Sequence, residues 1–270
     1  MARAPGRASR VVATAFALLV GGVGAIGRAA EDGPYAIPAS IDVTRLLAPP
    51  PADDAAKIRD LAAVRAAQQT RTAEQAQDAE ESSAVDVFLF RSVLGSGFAA
   101  QRLPRTAFLF RRVLRTALPW LQTTKDCWSR PRPFVVDPTL APLERALAST
   151  RVSPGATGSA PRAPQPADSP CGAPPADPSL SPSYPSGHAA VGAMDAIILA
   201  QMVPEQRSAL FARGWAYGDA RVIGGVHFPS DVEAGRILGT MLVSVLEQDA
   251  RFRADRDAAR KELRSALGYP

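Results

Sequence analysis

The sequence predicts an all-α fold, a single-domain helical bundle over residues 31–270 with six or more helices around one core. Apolar residues recur at helical spacing in several stretches. No stretch shows the apolar–polar alternation of a half-buried strand, and several apolar runs open at capping residues such as Asp53, Ser186 and Ser230. A chain of 270 residues with 46% apolar and 21% charged side chains is long and apolar enough for a sizeable core.

The first thirty residues stand apart. Arg3, Arg7 and Arg10 form a positive start, Val11 to Ile26 is apolar and small, and Gly27-Arg28-Ala29 fits a small-x-small cleavage rule, with Ala30 an alternative end. This is the pattern of a secretory signal peptide over residues 1–30. The alternative is an uncleaved anchor, for which the run falls short of the roughly 20 residues a span needs. No later stretch is apolar enough to span, so the expected mature chain has no membrane span and is periplasmic or secreted.

Residues 31–52, with Pro34, Pro38 and Pro49-Pro50-Pro51, read as irregular. From Asp53, Ile58, Leu61 and Val64 mark a helix that ends in the polar stretch near Gln75, and Glu80-Glu81-Ser82-Ser83 suggests a break or a new cap. Val87–Arg91 and Ala107–Arg111 resemble each other; either two amphipathic helices or an internal repeat explains the likeness. Residues 119–134 combine cations, aromatics and three prolines and read as non-helical. A short helix is expected over Leu140–Ser149.

Residues 153–185 hold ten of the 25 prolines and read as a flexible or polyproline-like insert. The insert ends directly at Ser186-Gly187-His188, which it would border as a rim or lid. Those three residues open an apolar helical run from Ala189 to Met202. Pro204 suits the first position of the next helix, through Leu210, Phe211, Trp215 and Ala216 to Gly224-Gly225. Ser230-Asp231-Val232-Glu233 is a capping-box pattern for the helix carrying Ile237, Leu238, Leu242 and Val245.

The formal net charge of +5 falls to +1 once Arg3, Arg7, Arg10 and Arg28 are set aside with residues 1–30. A nearly neutral body without a basic run gives no electrostatic footprint for nucleic acid. In an exported chain the two cysteines, Cys127 and Cys171, are expected to pair, closing a loop for which the chain-entropy model gives roughly 4 kcal/mol at most. Two reduced, buried thiols are the alternative.

Chemistry concentrates around the two histidines. His188 stands at a helix N-terminus, where unpaired N–H groups and the helix dipole favour an oxyanion. His227 lies on a turn between Arg221 and Asp231, and a carboxylate four residues away can hold one ring nitrogen and leave the other as nucleophile or base. Lys125 and Arg132 add cations, the latter held between Pro131 and Pro133. With no carboxylate cluster or further histidine for a metal, the set reads as cofactor-free phosphoryl transfer.

Lys125-x6-Arg132-Pro133, Pro185-Ser186-Gly187-His188 and Arg221-x5-His227-x3-Asp231 together resemble the three-part signature of the type 2 phosphatidic acid phosphatase (PAP2) superfamily. The chain is most similar there to bacterial class A non-specific acid phosphatases. The resemblance implies that His227 is the nucleophile, oriented by Asp231, and that His188 is the general acid. Lys125, Arg132, Ser186, Gly187 and Arg221 would bind the phosphate. Two departures stand out. Ala220 precedes Arg221 where the family usually has serine, and the proline-rich insert is longer than the family needs.

The expected function is an exported acid phosphatase acting on small phosphate monoesters, metal-independent, with activity peaking at acidic to near-neutral pH. Three alternatives use the same anion site: a vanadium-dependent haloperoxidase, a lipid or isoprenyl phosphate phosphatase, and a phosphate-binding module without turnover. A homo-oligomer is compatible with the sequence, which leaves the oligomeric state open.

Overall fold

The computed structural model describes residues 33–38, 40–152, 171, 177 and 179–270. The expected signal peptide lies outside the described residues, as does most of the insert at 153–185. Among the described residues the fold is all-α. Its longer helices are α1 (Asp54–Thr70), α2 (Ala73–Glu81), α3 (Pro104–Trp128), α4 (Gly187–Met202), α5 (Arg207–Ile223), α6 (Pro229–Leu246) and α7 (Ala250–Leu267). No strand occurs there; Arg151 and Leu180 form an isolated antiparallel bridge.

Local chemistry sets most of the boundaries. The Asp53 carboxylate caps α1 by accepting from the Ala56 N–H at 2.8 Å. A capping box between Thr72 and Gln75 starts α2 directly afterwards, so the helical stretch from Asp53 is two helices. It ends at Ser82, where the acidic-serine cluster predicts a break. Asp249 caps α7 and Gly268, at φ 73°, closes it in the left-handed conformation that glycine adopts freely. Val87–Phe90 is a 3₁₀ turn followed by the single turn Arg91–Leu94, whereas Ala107–Arg111 lies inside α3.

Two expectations need correction. Residues 119–128 are helical, because α3 continues through Pro119 to Trp128. The proline removes one ladder donor, but Trp120, Leu121, Thr124 and Cys127 keep a buried face beyond it, and that burial outweighs the missing bond. The helix α6 begins at Pro229, not after a Ser230 cap. Phe228 is its N-cap residue, and Asp231, in the third helical position, accepts from the Phe228 N–H at 2.8 Å.

The core lies around α4, which is apolar on every face and buried along nearly its whole length. It packs between α5 and α6, while α7 packs on α3 and α4, and α1 and α2 lie against α5. Glycines allow the close approach: a Cβ at Gly214 of α5 would stand 2.5 Å from the Gly192 carbonyl oxygen and 2.6 Å from the Ala196 Cβ. Met194, Ile198, Leu199 and Met202 meet Leu210, Leu238, Leu246 and Phe252 in one cluster. A smaller cluster of Val64, Leu140 and Phe228 sits beneath the α6 N-terminus. Pro34–Pro270 form one unit, and no helix among the described residues is long and apolar enough to cross a membrane.

Cys127, near the end of α3, is disulfide-bonded to Cys171. The bond ties the proline-rich stretch to the helix that carries Lys125.

Candidate active site

Four segments converge at the N-terminal ends of α4 and α6. The end of α3 brings Lys125. Ser129, left-handed at φ 45°, then turns the chain so that Arg130 and Arg132 both point inward. The α4 start brings Gly187 and His188, and the α5–α6 connection brings Arg221, His227 and Asp231. Lys125, Arg132, Gly187, His188 and His227 line a cavity of about 290 Å³. Arg221, Ser186 and Asp231 are fully buried behind its wall.

His227 is held from both sides. Its Nδ1 lies 3.3 Å from Asp231 Oδ2, and its Nε2 lies 2.9 Å from Arg132 Nη1. A guanidinium can only donate, so Nε2 accepts and the proton resides on Nδ1, facing the carboxylate. Nε2 therefore carries the lone pair on the cavity side. Burial, then Arg132 and Lys125, push this imidazole well below its ordinary pKa, so it is neutral.

Asp231 is a carboxylate with four partners. Besides His227 it accepts from the Phe228 N–H at 2.8 Å, from Arg130 Nη1 at 2.6 Å and from the Ser183 hydroxyl. Arg130 also reaches Ser230 Oγ at 2.7 Å and Asp60 Oδ2 at 2.8 Å, and its guanidinium stacks 4.1 Å over the Phe228 ring. Asp60 in turn accepts from the Ser230 N–H and hydroxyl. An Asp60–Arg130–Asp231–His227 chain thus runs from α1 to the cavity. Sequence reasoning missed Asp60, Arg130 and Ser183. The signal for Arg130 was in plain view, since it alternates with Arg132 in Arg130-Pro131-Arg132-Pro133.

His188 is half-buried, its ring 5.7 Å from that of Tyr217. Its Nε2 lies 3.1 Å from the Ser83 carbonyl oxygen. A carbonyl only accepts, so Nε2 donates and Nδ1 is the nitrogen that gains and loses a proton. Burial, reinforced by Arg221, brings this imidazole down to about 3.

The cations are crowded and anchored. Lys125 Nζ donates to the Pro182 carbonyl at 2.6 Å, and Arg132 donates to the Ser181 and Val226 carbonyls at 2.8 and 2.9 Å. The end of the proline-rich stretch therefore forms one wall of the cavity. Arg221 donates to Ser83 Oγ at 2.9 Å, to Ser149 Oγ at 2.7 Å and to the Ala146 carbonyl; its buried Nε–H meets no acceptor among the described residues. Burial, with Arg132 beside it, lowers the Lys125 ammonium well below its usual range. Burial also takes Arg132 to about 9, against the pull of Asp231, and Arg221 to about 10. Burial is the first cause of all three shifts, and an anion among these groups would restore their charged forms.

Ser186 caps α4 by accepting from the Ala189 N–H at 3.3 Å, while its own N–H donates to the Asp231 carbonyl at 2.9 Å. That second bond fixes the α4 N-terminus against the α6 N-terminus and so sets the spacing of the two histidines. The Gly187 N–H stands at the first, unpaired position of the helix, on the cavity.

The PAP2 superfamily profile matches residues 107–253. An acid phosphatase from Zymomonas mobilis is 33% identical over 172 residues, covering 64% of this chain and 54% of that protein. A non-specific acid phosphatase from Salmonella typhimurium is 42% identical over 81 residues, 30% of this chain and 32% of its own length. The chain thus spans about half the length of the first relative and about a third of the second. Among solved structures, the first transmembrane PAP2 type phosphatidylglycerolphosphate phosphatase from Bacillus subtilis aligns with a TM-score of 0.44 at 22% identity, over 73% of this chain and 87% of that one. The matched span contains Lys125, Arg132, His188, Arg221, His227 and Asp231, the groups gathered around and behind one cavity, and with more than half its length so matched the chain belongs to the PAP2 superfamily.

Proposed function

We propose that this protein is an exported acid phosphatase that hydrolyses small phosphate monoesters through a covalent phosphohistidine at His227. The observation that carries the reading is the protonation pattern of the two imidazoles: Asp231 and Arg132 leave a lone pair on His227 Nε2, and Ser83 leaves Nδ1 of His188 to move a proton. Lys125, Arg132 and the Gly187 amide, which line the cavity, hold the non-bridging oxygens, where charge spreads in the transition state, and Arg221 adds positive charge from behind the wall.

In the first half-reaction Nε2 attacks phosphorus, the P–O bond to the leaving group breaks, and the Nδ1 proton of His188 passes to the departing oxygen. In the second, His188 takes a proton from water, the hydroxide attacks phosphorus, and the N–P bond breaks to release phosphate. The phosphate is also what recharges the site. Its negative charge beside His188 raises an imidazole that burial and Arg221 otherwise keep neutral, so the bound substrate supplies the acid its own cleavage needs. This coupling supports an activity maximum at acidic to near-neutral pH. The arginine-led, apolar pattern of residues 1–30 supports export to the periplasm or medium.

The test is steady-state hydrolysis of an activated and an unactivated monoester, 4-nitrophenyl phosphate and an alkyl phosphate. His227→Ala abolishes turnover of both. In kcat/KM, which reports the first half-reaction alone, His188→Ala spares the nitrophenyl ester, whose leaving group needs little protonation, far more than the alkyl ester. Appreciable turnover in His227→Ala, or equal losses in kcat/KM on both esters in His188→Ala, refutes the assignment.

A further inference from the structure

The cavity at the histidines adjoins a second one. Val85, Leu114 and Val191 line both, and the second, of about 250 Å³, is walled by Val87, Phe88 and Phe110. Asp195 lies in it. This carboxyl is only 5% exposed and meets no hydrogen-bond donor among the described residues, in a chain where Asp60, Asp231 and Asp255 all have theirs. Burial, with Asp86 nearby, pushes its pKa well up. A buried carboxyl of this kind is costly unless something donates to it.

Its place on α4 says what that donor is attached to. Asp195 comes seven residues after His188, two turns further along the same helix face and about 10 Å along the axis. A molecule delivering a leaving oxygen to His188 would run along this face, past Val191, and end at Asp195. The walls are apolar, and the volume exceeds the roughly 150 Å³ that holds a benzene ring. Arg111 also lines this cavity, but it and Asp86 are exposed, where solvent screens them, whereas Asp195 acts from a buried position.

We propose that this second cavity is the leaving-group subsite and that Asp195 selects monoesters whose aryl leaving group carries an ammonium group at the end remote from the phosphate. The proposal rests on the phosphatase reading, and its test separates the two. The substrates are 4-(2-aminoethyl)phenyl phosphate and 4-ethylphenyl phosphate, which share the ring and its ethyl carbons and differ in whether that chain ends in an ammonium. The wild type favours the amine in kcat/KM by at least tenfold, and Asp195→Asn collapses that ratio to below threefold. A wild-type ratio near one overturns the subsite even if the variant fails to fold, as does a ratio that Asp195→Asn leaves intact. If neither ester turns over, the phosphatase reading has failed, and calorimetry with the free product 4-(2-aminoethyl)phenol decides the subsite alone. Binding to the wild type that weakens at least tenfold in Asp195→Asn supports it, and the absence of such weakening or of binding refutes it.

Discussion

Replacing Arg130 with methionine isolates the part of the site that positions the nucleophile without touching phosphate. The change keeps the apolar stem and removes three hydrogen bonds, to Asp231 at 2.6 Å, Ser230 at 2.7 Å and Asp60 at 2.8 Å. Asp231 is fully buried and Asp60 is 8% exposed, so both carboxylates lose the cation between them. Removing one partner of a buried pair costs about 3–5 kcal/mol. Asp231 keeps the Phe228 N–H, the Ser183 hydroxyl and His227, and that places the expected loss near the lower end, about 3 kcal/mol. For a chain of this size that is a fall in Tm of roughly 6–12 °C.

The kinetic signature is more specific. Without Arg130, Asp231 loses the bond that ties its carboxylate to α1, and with it part of the hold that keeps the His227 ring turned with Nε2 towards the cavity. At the wild-type optimum kcat should therefore fall about 10–100-fold, or roughly 1.4–2.7 kcal/mol, with KM for 4-nitrophenyl phosphate changed less than about threefold. Arg130→Lys, able to reach one carboxylate at a time, should recover part of both. Thermal melts and steady-state kinetics measure these quantities. A methionine variant with Tm within about 2 °C and kcat within about threefold would refute the reasoning.

The same geometry makes three further predictions. Both histidines have folded pKa values below the unfolded value, so the unfolded chain binds more protons and the anion-free protein loses stability as pH falls from about 6.5. Sulfate, a dianion throughout this range, should bind with proton uptake and offset the loss; calorimetry in buffers of different ionisation enthalpy would reveal the uptake, and its absence would contradict the electrostatics. Gly214→Ala places a methyl group where α4 leaves no room and should cost about 1–3 kcal/mol in urea denaturation with little change in KM. The Cys127→Ser, Cys171→Ser double variant opens a loop between residues 44 positions apart and should lose about 2–4 kcal/mol, read as a lower Tm that reducing agent does not lower further.

Much of this site is legible in the sequence because its groups sit at punctuation marks. Ser186 announces a helix start, Gly224-Gly225 an end, and Pro131 and Pro133 frame Arg132, so both histidines and Arg221 could be assigned to helix ends before any packing was known. The all-α class comes from the same marks. What the sequence hides depends on packing. Pro119 looks like a breaker, yet the buried face of Trp120, Leu121 and Thr124 carries α3 through it and brings Lys125 onto a helix. Asp60 lies far along the chain from Arg130 and is an ordinary surface residue by local pattern; only the contact of α1 with α6 makes it a ligand of the arginine. Asp195 is hidden for the opposite reason, since a single acid in an apolar helix gives no sign of what it faces. Ser183 and Ser83 look like loop residues, and their roles appear only where a hydroxyl meets Asp231 and a carbonyl meets His188.

The central claim is the N–P bond to His227. Rapid quench of the full-length protein with ³²P-labelled 4-nitrophenyl phosphate, then peptide mapping, should yield label that is acid-labile and base-stable on the peptide containing His227. The label should be absent from His227→Ala and should accumulate in His188→Ala, whose second half-reaction lacks its base. Turnover of the monoester with no trapped label at any quench time, or label on the His188 peptide, would contradict the account.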